Sequence, residues 1–250
     1  MSTPEKTNRQ VAIIPGGAKG IGRAVALDLA KKRWAVAICY RTSAEAAKDT
    51  AHEIDRLGGQ SLVMQADVAV AERATHFVRA TEERWGRIDA LIHCAGPYHR
   101  VPLLEETAAG WDEMIAGNLH SLFHMAQAVT PGMIARKHGH IVAFGMANGD
   151  RMGGQPNVTG HYVAKAGVLI LIRTLAKILA PHGIRANAVS PGYIDSGSAP
   201  ADELAAALKT IPAGYLGSVD DVASAVRYLL SDESRYVNGA NIQVSGAWGI

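Results

Sequence analysis

Seven short segments of this chain are apolar at consecutive positions, and that pattern leaves few ways to fold. They are Val11 to Pro15, Ala35 to Tyr40, Ser61 to Ala66, Ile88 to Cys94, His140 to Gly145, Arg185 to Ser190 and Ala240 to Val244. A strand with one wet face alternates apolar and polar residues; these segments hardly alternate, as expected of strands buried on both faces of a parallel sheet. Between them lie amphipathic segments of helical length: Gly22 to Arg33, Ala44 to Leu57, Ala71 to Trp85, Ala109 to Arg136, Thr159 to Ala180 and Val219 to Leu230. Gly58 and Gly86 supply stops. Repetition of strand and helix implies right-handed βαβ units. The predicted fold class is therefore α/β: a doubly wound parallel sheet of seven strands with helices on both faces. With 250 residues and no linker or low-complexity tract, the chain reads as one domain over 9–250 after a disordered tail at 1–8.

The first strand runs into Pro15-Gly16-Gly17-Ala18-Lys19-Gly20-Ile21-Gly22, where a helix begins. Glycines permit a tight turn and close approach of backbone to a pyrophosphate, and the helix N-terminus adds free N–H groups and partial positive charge. No Lys-Ser/Thr pair follows the last glycine, which separates the turn from a P-loop. The turn thus predicts a dinucleotide site. The second strand ends at Tyr40, followed by Arg41-Thr42-Ser43. An NAD site ordinarily places an acid there for the ribose 2′-hydroxyl. Arg41, two hydroxyls and Lys19 in the first turn suit a 2′-phosphate instead. The expected cofactor is NADP(H) rather than NAD(H).

Taken together, several motifs make the chain resemble the short-chain dehydrogenase/reductase family over essentially its whole length. They are Gly16-x-x-x-Gly20-Ile21-Gly22, Ala66-Asp67-Val68, Ala95-Gly96, Asn118, Lys165-Ala166-Gly167, Pro191-Gly192-Tyr193-Ile194, Asn238-Gly239 and Val244-Ser245-Gly246. The resemblance implies a Rossmann-type fold and hydride transfer between a nicotinamide and a small carbonyl or alcohol substrate. It also implies adenine contacts from Asp67 and Val68, a nicotinamide cover from Pro191, Gly192 and Ile194, and a ribose contact from Lys165. A homodimer or homotetramer follows from the same resemblance.

The chain departs from the family where its chemistry is done. The family's catalytic tyrosine lies four residues before the lysine; here that residue is His161. Tyr162 follows, rotated by roughly 100° around the helix. No serine or threonine occurs from Pro131 through Val158. Counting from the fifth strand puts the serine's place at Gly145 or Met146, and counting back from the helix puts it at Asn148. His93 and Cys94 replace two asparagines, and Pro15 replaces a threonine.

A histidine titrating at about 6.5 suits acid–base work at neutral pH, and Lys165 lies one turn on along the same face. One reading gives His161, Lys165 and Asn118 the catalytic roles, with the neutral imidazole donating to the carbonyl oxygen and Asn148 or Asp150 in the serine's stead. In a second, Tyr162 swings into the site. A third makes the chain a catalytically silent NADP(H)-binding sensor or partner subunit. Pro97, Tyr98 and Met152, with a modest lid within Ile194 to Gly217, are expected to line the substrate pocket.

Other features constrain partners. The formal charge is +2 without a basic stripe, so nucleic acid is not expected. His120 and His124, and His138 and His140, lack further ligands at metal spacing, and no metal is expected. Cys39 and Cys94 read as small buried side chains in a reducing compartment. Residues 1–10 have no apolar core of a signal peptide, and no apolar segment reaches the ~20 residues of a membrane span, so the expected location is cytoplasmic.

Overall fold

The computed structural model describes residues 8–197 and 201–249, so the tail expected over 1–8 lies, but for Asn8, outside the described residues. Seven parallel strands form one sheet: β1 (Val11–Pro15), β2 (Ala35–Tyr40), β3 (Gln60–Gln65), β4 (Ala90–His93), β5 (Gly139–Phe144), β6 (Ile184–Pro191) and, outermost, Asn241–Val244. Their spatial order runs from β3 through β2, β1, β4, β5 and β6 to that last strand. The order reverses between β1 and β4, and in open parallel sheets this switch point is where the crevice for a ligand opens.

The pleat sorts the apolar residues into two layers. Val11 and Ile13 of β1 pack with Phe77, Trp85, Leu122, Met125 and Ile172, while Ala12 and Ile14 pack with Val25, Leu29, Ile54, Val222 and Val226. Helices α1 (Gly20–Lys31), α2 (Ala44–Arg56) and the late helix Val219–Leu230 cover the second face. Helices α3 (Ala71–Trp85), α5 (Ser121–Arg136) and α6 (Thr159–Leu179) cover the first. Both faces being covered explains why the strand segments lack alternation.

The long helix expected over Ala109 to Arg136 is interrupted. An α4 segment (Ala108–Ile115), capped by Thr107 Oγ1 accepting from Gly110 N at 3.0 Å, passes into one wide π-turn at Ala116–His120 before α5. Such turns mark functional positions in helices, and Asn118 lies at the centre of this one. The sequence did not indicate the two-residue strands β7 (Ile194–Asp195) and β8 (Gly217–Ser218), which pair in parallel and flank α7 (Ala201–Leu208). The expected lid coincides with this excursion, although residues 198–200 lie outside the described residues. The late helix, α8, opens with a capping box between Ser218 and Asp221; the outermost strand is β9.

Asp89, fully buried just before β4, accepts the Val11 amide at 2.8 Å and a forked contact from Arg87. It joins the start of β1 to β4 at the end of the sheet opposite the switch point. Asp89→Ala leaves that amide and guanidinium without their acceptor and is expected to cost about 3 kcal/mol of unfolding free energy. Urea denaturation checks this.

Candidate active site

The first turn is shaped by what it cannot accommodate. Gly16 has φ +76°, and a Cβ there would stand 2.7 Å from the Ala95 amide. A Cβ on Gly22 would strike the Gly16 carbonyl. The turn thus lies flush against the end of β4, with the N-terminus of α1 open above it. Lys19, the residue before α1, is extended and exposed and makes no side-chain cap.

A cleft of about 240 Å³ begins at this turn. Of the residues expected to bind a cofactor, Gly16, Tyr40, Arg41, Asp67, Val68, Ala95 and Gly96 line it. Lys19 and Gly20 line a neighbouring groove with Arg23, Ser196 and Gly197. Ile21 packs against the core and Gly22 is buried in the turn. Thr42 is exposed beside the cleft, not in its wall. Asp67 folds its own loop by accepting the Ala69 amide at 3.0 Å. Pro97, expected in the substrate pocket, lines this cleft as well, and so do Gly117 and Ser121, to which the sequence did not point; Gly117 precedes Asn118 on the π-turn and Ser121 opens α5. Arg41 is not idle: its guanidinium meets Glu113 of α4 at 2.9 Å, with both side chains largely exposed.

Deeper in, two side chains from different elements converge on the Pro97 carbonyl. Asn118 Nδ2 donates to it at 3.0 Å and to Met114 O at 2.9 Å. His161 Nδ1 lies 3.3 Å from it. A carbonyl only accepts, so the ring proton is assigned to Nδ1 and Nε2 is left as an acceptor. Burial first, then the Lys165 charge, pulls the imidazole down to about 3. The side chain is thus neutral at working pH, and its N–H is spent on Pro97. This differs from the expected donation by His161 to a substrate oxygen.

Lys165 is buried and donates to Phe144 O at 2.9 Å; burial lowers its ammonium to about 8. Asn118 Oδ1 is buried without a partner. A Cβ built on Gly96 would collide with that oxygen and stand 3.6 Å from Lys165 Nζ. The lack of a side chain at Gly96 lets the unpaired Asn118 oxygen pack directly against its backbone, with the Lys165 amine close by. The missing Cβ atoms of the turn, the orphaned Asn118 oxygen and the glycine-lined cleft fit a ribose-bearing dinucleotide.

Tyr162 is turned the other way, as the rotation around the helix requires. Its buried hydroxyl donates to Asn148 O at 3.0 Å and accepts from Gly153 N at 3.1 Å. It pins the β5–α6 loop, in which Asn148 and Met152 both adopt left-handed backbone (φ +61° and +56°), and does not reach toward Lys165. Gly145 continues the sheet through its amide to Val189 O at 2.9 Å; it brings no hydroxyl of its own, and the Ser190 Oγ beside it donates to Asn241 Oδ1 at 2.7 Å. Asp150 reaches only Asn241, at 3.4 Å.

On the far side, Pro191 O accepts the Ala147 amide, Gly192 N bonds Val244 O, and Ile194 is drawn into the β7–β8 pair. His93 is buried with Nε2 unpartnered, and burial holds it down to about 3. The Cys39 thiol is pushed up to about 12 by burial, and that of Cys94 is raised as well. Among the described residues, no three His, Cys, Asp or Glu gather as a metal site, and no helix is long and apolar enough to cross a membrane.

The matches to known proteins follow this geometry. A family model described as enoyl-(acyl carrier protein) reductase covers residues 16–248. The chain belongs to the short-chain dehydrogenase/reductase family. It is 34% identical over 238 residues to a 3-oxoacyl-(acyl-carrier-protein) reductase of Staphylococcus epidermidis, covering 94% of this chain and 97% of that one. It is 33% identical over 241 residues to the Escherichia coli reductase of the same name, covering 95% and 96%. A solved Sinorhizobium meliloti protein assigned as a short-chain alcohol dehydrogenase superposes with a TM-score of 0.90 at 29% identity, covering 97% of each chain. The family and the α/β fold are thus those that the sequence motifs implied, and the chain is an oxidoreductase of the short-chain type.

Two outcomes test this geometry. Tyr162→Phe removes both hydrogen bonds to the β5–α6 loop and is expected to cost about 1–2 kcal/mol, with faster proteolytic cleavage between residues 146 and 153. His93, His140 and His161 are all held well below the 6.5 of an unfolded histidine, at about 3, 4 and 3. The unfolded chain therefore binds more protons as pH falls through 6.5 toward those values. Stability is expected to be full above pH 6.5 and to decline between 6.5 and 5, before most carboxylates titrate; urea midpoints across that range check it.

Proposed function

We propose that the chain is an NADP(H)-dependent oxidoreductase that moves hydride between the nicotinamide and a carbonyl or alcohol substrate, with the proton handled by a group other than a tyrosine of α6. The observation that carries this reading is the glycine-lined cleft that runs from Gly16 to Gly96, where Gly96 abuts the unpaired Asn118 oxygen and a Cβ on it would stand 3.6 Å from Lys165 Nζ. The turn and the N-terminus of α1 would hold the diphosphate. Asp67 and Val68 would flank the adenine, and Lys165 would meet the nicotinamide ribose. Pro191, Gly192 and Ile194 would close over the ring. The bound dinucleotide supplies the hydride chemistry; the protein's task is position and proton.

Arg41 favours the 2′-phosphate, together with Thr42, Lys19 and the absence of an acid at the end of β2. His161 would orient a substrate hydroxyl by accepting at Nε2. The names of the relatives support a 3-oxoacyl group as substrate class. Phe123 of α5 and Val163, Ile170 and Ile178 of α6 are exposed apolar residues, which supports association into a homodimer or homotetramer. A second reading, a silent nucleotide-binding protein, draws support from the engaged hydroxyl of Tyr162 and from the lack of serine or threonine between Gly145 and Val158.

Calorimetry with NADPH and NADH, joined to NADPH oxidation with a panel of ketones, tests the proposal. NADPH is expected to bind more tightly than NADH, and Arg41→Ala to weaken NADPH by about tenfold, the loss of one charge-assisted phosphate contact, with little effect on NADH. His161→Ala is expected to lower turnover. No heat with either nucleotide sinks the reading. Binding without turnover on any ketone leaves the silent one.

A further inference from the structure

The two positions at which the family carries hydroxyls lack them here, yet a phenol stands against His161, the residue in the tyrosine's place. Tyr98 lies two residues past Gly96 on the β4–α4 loop. Its ring meets that of His161 edge-on, with centroids 5.1 Å apart and planes at 90°. His161 occupies the place of the family's tyrosine, one turn before Lys165 on α6. Gly96 itself abuts Asn118 Oδ1 and Lys165 Nζ. Tyr98 therefore stands against the residue that replaces the family's tyrosine, on the loop that continues from Gly96.

The loop that carries it is well held. Val101 N donates to Asn157 O at 2.9 Å and Leu103 N to Pro156 O at 2.8 Å, stitching the β4–α4 loop to the β5–α6 loop. His99 Nε2 meets Glu106 Oε2 at 2.6 Å, and Glu106 Oε1 accepts the Thr107 amide at 3.0 Å. Tyr98 is nevertheless 59% exposed, unlike Tyr162, whose hydroxyl is already engaged. α6 brings His161 against its ring, and its own loop carries the His99–Glu106 pair and Arg100.

We propose that Tyr98 is the proton donor of this site, and that His161, held by Pro97, positions its ring. The inference rests on the carbonyl-reductase reading above. As the carbonyl carbon gains a hydride and its electron pair from a bound nicotinamide, the C=O π pair moves to oxygen, which takes the phenolic proton. The O–H bond of Tyr98 breaks, and water at the open mouth returns a proton to the phenolate. A phenol is a stronger acid than the alcohol formed, so the transfer runs toward the alkoxide, and neutral His161 does not compete as an acid.

The experiment uses wild-type protein and Tyr98→Phe, with ethyl acetoacetate as probe. Tyr98→Phe is expected to lower kcat by about 100-fold, in the range of general acid catalysis, with KM for NADPH unchanged. A second readout needs no turnover. In protein labelled with 13C at tyrosine Cζ, the resonance absent from Tyr98→Phe is expected to move when ethyl acetoacetate is added with oxidised cofactor. A kcat unchanged in Tyr98→Phe with a raised KM for the ketone makes Tyr98 a mere wall and overturns the inference while the reductase reading stands. A Cζ resonance that stays fixed while the ketone binds also overturns it. Wild-type protein that binds NADPH yet reduces no ketone overturns the reductase reading and the inference together.

Discussion

The close approach of the first turn to the end of β4 is the contact on which the rest depends. Gly16 meets the Ala95 backbone at a distance that no side chain survives. That contact sits where the strand order reverses, so it fixes the floor of the crevice and the heading of the segment that leaves β4. Ala95, Gly96 and Pro97 follow directly, and Pro97 presents the carbonyl on which Asn118 and His161 converge. A looser turn would move this carbonyl and with it both side chains. Close packing leaves little room for such movement without repacking.

The site is built from polar groups that the fold satisfies only in part. Asn118 spends its two donor bonds on Pro97 and Met114 and keeps an unpaired acceptor. Lys165 is buried with a single carbonyl partner. Burying such groups is costly unless something answers them. The wide turn at Ala116–His120 is part of the same economy of space: it redirects the helix so that Gly117 and Ser121 face the cleft while Asn118 faces inward.

Much of the scaffold was legible in the sequence because its signals are local. The seven apolar segments became seven parallel strands, with ends moved by one or two residues, and Val219 to Leu230 is helical over its whole expected length. The Gly-rich turn announced its own backbone. What was not legible depends on distant partners. Nothing in the residues around Arg41 signals Glu113, 72 positions away. The π-turn leaves no composition signal, since Ala116 to His120 would serve in any helix. The opposed directions of His161 and Tyr162 could be read from helical geometry, but the acceptor at Asn148 and the donor at Gly153 that capture the tyrosine could not. Two counts for the missing serine disagreed because the β5–α6 loop follows neither strand nor helix spacing.

Tyr162 shows how a one-residue offset alters what can be undone. Its hydroxyl fastens a loop that holds two residues in left-handed backbone, so the offset has become architectural. Exchanging the residues at 161 and 162 would restore the family's spacing and at the same stroke unfasten that loop. The two positions are thereby coupled non-additively: a variant with the usual spacing gains a reagent and loses its rivet.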